Sequence, residues 1–89
     1  MTEVWITTNS DSRRLGVYAS QDGARARAEA EYRRLCGIYK RPVGEMKWET
    51  RSFDPPGLEV LYVTFPERER QADQFGNGGM YVTRVEVRP

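Results

Sequence analysis

Apolar and polar residues alternate with a period of two in four stretches of this chain, and such alternation is typical of β-strands with one buried face. A fifth stretch, Leu58–Phe65, is apolar almost throughout. Segments rich in glycine, proline and small polar residues separate these stretches. The Asn9–Arg14 segment is short, so we expect the first two strands to pair as an antiparallel hairpin. The predicted strands are Glu3–Thr8, Leu15–Ala19, Met46–Phe53, Leu58–Phe65 and Met80–Arg88.

The segment Ser20–Tyr39 has helical spacing instead, with apolar residues every three or four positions. Ser20 is a good N-cap, because its hydroxyl can accept a hydrogen bond from an amide of the first turn. Gly37 weakens the last turn, so we expect the helix to end near Cys36. The stripe that would pack on a sheet consists of Ala24, Ala28, Tyr32, Leu35 and Tyr39.

The opposite face of this helix carries four arginines and two glutamates. Four arginines suggest contact with nucleic acid, but the glutamates are spaced to pair with them and to cancel most of the basic field. We therefore favour a solvated outer face. The predicted pairs are Arg25 with Glu29, Arg27 with Glu31 and Glu29 with Arg33.

Together the elements predict one α+β domain over residues 1–89, in the order β-β-α-β-β-β, with one helix packed on one face of a four- to five-stranded antiparallel sheet. Leu58–Phe65 is apolar on both faces, which predicts an interior strand. A single helix covers one face only, so the other face is either solvated or covered by a partner.

Composition narrows the class of protein. Fourteen basic and thirteen acidic side chains give a net charge of +1, so no overall field steers the chain toward nucleic acid or a membrane. Cys36 is the single cysteine, which excludes an intramolecular disulfide and favours a cytoplasmic location. The first ten residues lack the features of a signal peptide, and no apolar run approaches the ~20 residues of a membrane span.

The residue types that most often carry catalysis are scarce. There is no histidine, which removes the commonest general base and metal ligand. Cys36 follows Leu35 in the predicted helix and is better explained as a core residue than as a nucleophile. Glu49 and Glu59, on adjacent strands, are the one carboxylate pair available for acid–base chemistry. The sequence therefore predicts a protein that is not an enzyme and that has neither a metal site nor a cofactor.

Two basic pairs lie in predicted loops, Arg13 with Arg14 and Lys40 with Arg41. If the first hairpin and the end of the helix lie on one side, the pairs form a patch that can contact phosphates or an acidic protein surface. If they lie apart, the four side chains are ordinary solvated charges.

The segment Pro66–Gly79 is the longest without a pattern, and loops of this length are often functional or disordered. It offers Arg68 and Arg70 among alternating charges, and then Phe75. This aromatic is either an anchor for a partner's pocket or a plug that folds back on the sheet. The run Gly76–Gly79 precedes a strand, not a helix, so we interpret it as turn chemistry and not as a phosphate-binding loop.

An apolar face of the sheet is a second candidate surface. If the helix covers the side of Ile6 and Val17, the uncovered side carries Trp5 and Tyr18 together with Leu61, Val63 and Phe65. Such a patch suits self-association as a homodimer or a protein partner. A one-residue difference in register would reverse the assignment.

The segment from the first strand to the helix resembles small orphan proteins encoded by actinobacteria and their phages. In those proteins a GVYSS-like strand runs directly into an alanine-rich helix, as LGVYAS runs into QDGARARAEAEY here, after the turn at Ser10–Ser12. The resemblance covers residues 3–39, and the twelve arginines against two lysines suit a high-GC genome. It implies an accessory cytoplasmic protein that acts by binding.

We therefore expect a non-catalytic protein-binding module, in a phage setting a factor that modulates a host or defence protein. The alternative is a small nucleic-acid-binding domain that uses the loop arginines and exposed aromatics, and its binding would weaken steeply with salt. A hydrolase or transferase would require Glu49 and Glu59 to lie close together below a cleft.

Overall fold

The computed structural model of the chain describes residues 2–65 and 75–87, and of residues 75–78 the backbone alone. It contains one helix and five strands in the predicted order. They are β1 (Thr2–Asn9), β2 (Arg14–Tyr18), α1 (Gln21–Ile38), β3 (Glu45–Glu49), β4 (Leu58–Thr64) and β5 (Phe75–Val87).

The five strands form one antiparallel sheet with the order β2-β1-β5-β4-β3. The predicted α+β class, the first hairpin and the interior position of β4 are confirmed. β5 is the central strand, and all of β1 pairs with it, from Thr2 opposite Val87 to Asn9 opposite Met80. The two edge strands, β2 and β3, are the shortest.

The helix packs closely on the sheet because its inner face is lined with small residues. Ala24 and Ala28 are fully buried. The hydroxyl of Thr7 in β1 is also buried and donates a hydrogen bond to the carbonyl oxygen of Ala24 (2.8 Å). The small side chains of Ala24 and Ala28 let a strand side chain reach the helix backbone directly.

The core lies between the helix and β4 and β5, where Cys36 is buried as predicted. Its members are Ala28, Tyr32, Cys36, Leu61, Val63 and Met80. Leu35 packs half-buried at its border, but Tyr39 leaves the predicted stripe and is 67% exposed. Tyr39 is the C-cap of the helix, so its side chain lies beyond the covered part of the sheet.

The helix begins as predicted and ends later than predicted. The Ser20 hydroxyl accepts a hydrogen bond from the amide of Gly23 (3.1 Å). Gly37 remains helical, because the chain terminates in a Schellman motif in which the Arg41 amide donates to the Cys36 carbonyl (2.8 Å). Lys40 takes the left-handed position of this motif, with φ of 52°.

Two predicted strand boundaries are wrong. β3 ends at Glu49 and not at Phe53, because a turn follows in which Arg51 holds both carboxylate oxygens of Asp54 (2.6 and 3.1 Å). β5 begins at Phe75 and not at Met80, so residues 75–79 belong to a strand and not to a loop. The backbone of residues 75–77 pairs with β4, and the register shifts between Val60 and Tyr62.

The predicted assignment of the sheet faces is also wrong. The helix covers the face of Trp5 and Thr7, so Ile6 and Val17 lie on the uncovered side. The sequence grouped Trp5, Tyr18, Leu61, Val63 and Phe65 correctly on one face but placed that face outward. The face of Val4 and Ile6 is the more apolar face of β1, so hydrophobicity alone favoured the side that the helix does not cover.

Candidate functional site

The face of the sheet opposite the helix, here called the open face, is the larger candidate surface. No helix or strand of residues 2–65 and 75–87 lies over it. Val60 at its centre is fully buried, whereas Val17 and Val87 near its margins are 50% and 45% exposed. Its apolar residues from the four strands β1, β2, β4 and β5 are Val4, Ile6, Val17, Leu58, Val60, Tyr62, Tyr81, Val85 and Val87.

Charged residues lie at both edges of the open face. On β3 these are Glu45, Lys47 and Glu49, of which the last two form an exposed ion pair (2.9 Å). On β2 it is Arg14, which is exposed. An apolar centre with a charged rim is the usual anatomy of a protein–protein interface.

One register row crosses the whole open face and ends in opposite charges. Arg14 pairs with Thr8, Thr8 with Tyr81, Tyr81 with Val60, and Val60 with Glu49. Thr8, Tyr81 and Leu58 also line a groove of about 340 Å³ beside the first hairpin. The face therefore has both a shallow depression and a charge asymmetry between its edges.

A polar network fixes the helix to the covered face. The Glu59 carboxylate, 9% exposed, accepts a hydrogen bond from Gln21 Nε2 (2.6 Å) and forms an ion pair with Arg25. The Arg25 guanidinium lies 5.8 Å from the centroid of the Trp48 ring, and Trp48 Nε1 donates to Glu29 (2.9 Å). Arg25 and Glu29 thus bind the sheet side chains instead of each other.

This network removes the carboxylate pair from consideration. Glu59 faces the helix, whereas Glu49 pairs with Val60 on the open face. The two carboxylates lie on opposite sides of the sheet and cannot act on one substrate. The arrangement that a hydrolase or transferase would require, with Glu49 and Glu59 below a common cleft, is therefore absent.

A second candidate surface is a cleft of about 640 Å³ between the first hairpin and the helix, here called the hairpin–helix cleft. Its walls combine arginines with small polar groups and a few apolar side chains. It is lined by Asn9, Ser10, Asp11, Arg13 and Leu15 from the hairpin, by Arg27, Glu31, Arg34, Leu35 and Tyr39 from the helix and its cap, and by Gly79 and Met80 from β5.

One acid in this cleft, Glu31, is saturated by arginines. Its two carboxylate oxygens accept hydrogen bonds from Nε and one Nη of Arg34 (2.7 and 2.8 Å), and Arg27 lies 3.6 Å away. These contacts, the Arg34 hydrogen bonds above all, hold the pKa of Glu31 below its usual value. The same bonds raise the pKa of Arg34. Of the predicted helix pairs, Arg27 with Glu31 is confirmed.

The two basic pairs of the sequence are divided between different surfaces. Arg13 lines the cleft, whereas Arg14 lies on the open face. At the end of the helix, the Arg41 guanidinium lies 6.0 Å from the centroid of the Tyr39 ring, and Tyr39 lines the cleft. Lys40 serves the helix cap. The hairpin and the helix end therefore do meet, but not as one patch of four charges.

Two further predicted binding residues, Trp5 and Tyr18, lie on neither surface. Trp5 and Tyr18 pair with each other on the covered face, and Tyr18 packs near the first turn of the helix. Arg68 and Arg70 lie outside the described residues. Phe75 begins β5 opposite Thr64, and its side chain is not among those described. Sequence reasoning missed Arg27 and Arg34, whose spacing of seven, two helical turns, was a usable signal.

Comparison with known proteins adds no family. No protein-family model matches the chain, and no curated protein or solved structure is significantly similar to it. Within residues 2–65 and 75–87, no helix is both long enough and apolar enough to cross a membrane. In the same ranges no three cysteine or acidic side chains cluster as metal ligands do.

Proposed function

We propose that this chain is a non-catalytic protein-binding module that docks through the open face, and that the open face of a second copy is its first occupant. The carrying observation is the largely apolar face of β1, β5 and β4, on which Thr8 and Thr83 are interspersed and over which no described helix or strand lies. Monomeric proteins rarely leave large apolar patches in contact with water. A phage-type accessory role, suggested by the resemblance, fits a protein that acts by binding.

Two sheets that pack face to face form a sandwich with a core about 10 Å thick, and a sheet with one bare face supplies half of it. Val4, Ile6 and Val85 provide short branched side chains for such packing near the centre of the open face. The row from Arg14 to Glu49 supports self-pairing. A two-fold axis parallel to the strands would set the β2 edge of one copy over the β3 edge of the other, with Arg14 facing Glu49.

The small net charge also supports association. At +1 for 89 residues, two copies repel each other weakly. Because the contact would be mainly apolar, its affinity should change little with salt. A nucleic-acid complex, in contrast, would weaken steeply over the same range.

The test is sedimentation of two matched double variants. Val17→Lys with Val87→Lys places two charges on the open face, at positions 50% and 45% exposed. Ile38→Lys with Val43→Lys places the same charges elsewhere, at positions 56% and 51% exposed. We expect the first variant to weaken dimerisation by at least about 100-fold, because the lysines would be desolvated without partners. The second should dimerise like the parent chain.

A charge exchange tests the orientation. Arg14→Glu should weaken the dimer by about fivefold, and adding Glu49→Arg should restore it, as expected of an exposed ion pair. If the two lysine variants dimerise equally well, or if both are monomeric, the open face is not the interface.

A further inference from the structure

We propose that the hairpin–helix cleft binds the phosphate of a nucleotide, supplied either by a free mononucleotide or by single-stranded nucleic acid. The site is separate from the open face and does not depend on the function proposed for it. The two sites lie on opposite sides of the sheet, because the cleft is on the side that the helix covers and the open face is on the other side.

Three guanidinium groups from two elements line this one cleft. Arg13 comes from the hairpin, and Arg27 and Arg34 come from positions two turns apart on the helix. A guanidinium matches the geometry of phosphate oxygens and can bind them through two parallel hydrogen bonds. Arginines from separate parts of the sequence thus present guanidinium groups to the same cleft.

Glu31 and Asp11 offset part of the positive charge in the cleft, but Glu31 also holds Arg34 in place and leaves one edge of it open. Both oxygens of Glu31 are occupied by one edge of Arg34, formed by Nε and one Nη. The second terminal nitrogen of Arg34 has no partner among the described residues, and the side chain is 58% exposed. An anion in the cleft can therefore bind the other edge of an arginine that is already held in place.

The hairpin holds Arg13 in a fixed turn. The Asn9 side-chain oxygen accepts hydrogen bonds from the amides of Asp11 (3.0 Å) and Arg13 (2.9 Å). The Asn9 amide also donates to the Arg13 carbonyl (3.0 Å). The Arg13 guanidinium itself forms no ion pair within the described part of the chain. A fixed backbone reduces the entropy lost when such a side chain binds a ligand.

An aromatic side chain favours a nucleotide over other anions. Tyr39 lines the cleft, is 67% exposed and has Arg41 6.0 Å from its ring centroid. Aromatic rings beside a basic groove are the usual stacking sites for unpaired bases. The cleft volume of about 640 Å³ lies within the usual range for small-ligand sites, ~300–1,000 Å³.

The experiment measures fluorescence anisotropy of a labelled oligothymidylate of about 12 nucleotides, a length that spans one site of this kind. We expect half-saturation between about 1 and 100 μM at low salt, and a log–log salt slope near −2 for three phosphate contacts. Arg13→Ala should weaken binding about tenfold. Tyr39→Leu should weaken it by a similar factor through lost stacking, again about tenfold.

Arg33→Ala is the matched control, because Arg33 is exposed on the same helix but does not line the cleft. It should bind like the parent chain. Circular dichroism confirms that each variant is folded, and Arg27→Gln provides a second cleft variant. The doubly substituted Val17→Lys, Val87→Lys chain should also bind normally, which separates this site from the open face.

Competition identifies the source of the phosphate. Displacement by uridine monophosphate assigns a free mononucleotide, and displacement only by unlabelled oligonucleotide assigns a single strand. Three results would overturn the proposal: no binding of the labelled oligothymidylate up to about 100 μM protein, equal weakening by Arg33→Ala and Arg13→Ala, or equally good displacement by polyglutamate, which carries charge without phosphate.

Discussion

Replacing Glu59 with glutamine should destabilise the fold by about 2 kcal/mol. Removing one member of a buried ion pair typically costs ~3–5 kcal/mol, because the other charge remains without its partner. Here Arg25 keeps 31% of its side chain exposed and water can solvate part of it, so we expect a cost below this range, about 2 kcal/mol. The Arg25 Nε atom is already buried without a hydrogen-bond partner. Glu59→Gln also removes the negative partner of the Arg25 terminal nitrogen, so the guanidinium charge is no longer balanced there.

The assay is urea unfolding followed by tryptophan fluorescence, since Trp48 lies beside Arg25. With a slope of about 1 kcal/mol per molar urea, the midpoint should fall by about 2 M. Arg25→Gln and the double variant complete a mutant cycle, whose coupling energy should be at least about 1 kcal/mol. Glu86→Gln, the same change at an exposed position, is the control. A Glu59→Gln midpoint equal to that of Glu86→Gln would refute the structural role of the pair.

Two further perturbations probe contacts of the helix. Thr7→Val keeps the shape but removes the hydrogen bond to the Ala24 carbonyl, and should cost about 1 kcal/mol in the same urea titration; an unchanged midpoint would contradict the close helix–sheet contact. The pKa of Glu31 is lowered in the folded state, so its stabilisation is complete above the ordinary value of 4.5 and is lost as pH falls through the folded-state pKa. The stability difference between the parent chain and Glu31→Gln should therefore be constant near neutral pH and shrink below pH 4.5; a difference independent of pH would exclude the Arg34 contact as its cause.

The elements of the fold follow from local features of the sequence. Alternation marks the strands because each has at least one apolar face, and Ser20 marks the start of the helix because its side chain caps it. The helix end is harder to predict, since Lys40 adopts a left-handed conformation that glycine usually occupies. Residues 75–79 escaped prediction because glycines carry no hydrophobic pattern, although their backbone can pair.

The orientation of the sheet depends on Thr7, a residue that hydrophobicity alone would place in water. Its burial is tolerated because its hydroxyl is bonded to the Ala24 carbonyl. Likewise, spacing predicted Glu29 as the partner of Arg25, but the partner is Glu59, 34 residues away. Contacts between residues far apart in the sequence leave no periodic pattern, so this network could not be predicted from one sequence. For the hairpin–helix cleft, the spacing of Arg27 and Arg34 marked the helix side, but nothing in the sequence placed Arg13 beside them.

The most direct test of the protein-binding account is the mass of the parent chain in solution. Light scattering should be recorded at two protein concentrations about 100-fold apart, each in low and in high salt. At the higher concentration we expect the mass of two 10.3-kDa chains, unchanged by salt, because the open face of each copy would be buried against the other. A mass of one chain under all four conditions would contradict self-association through the open face.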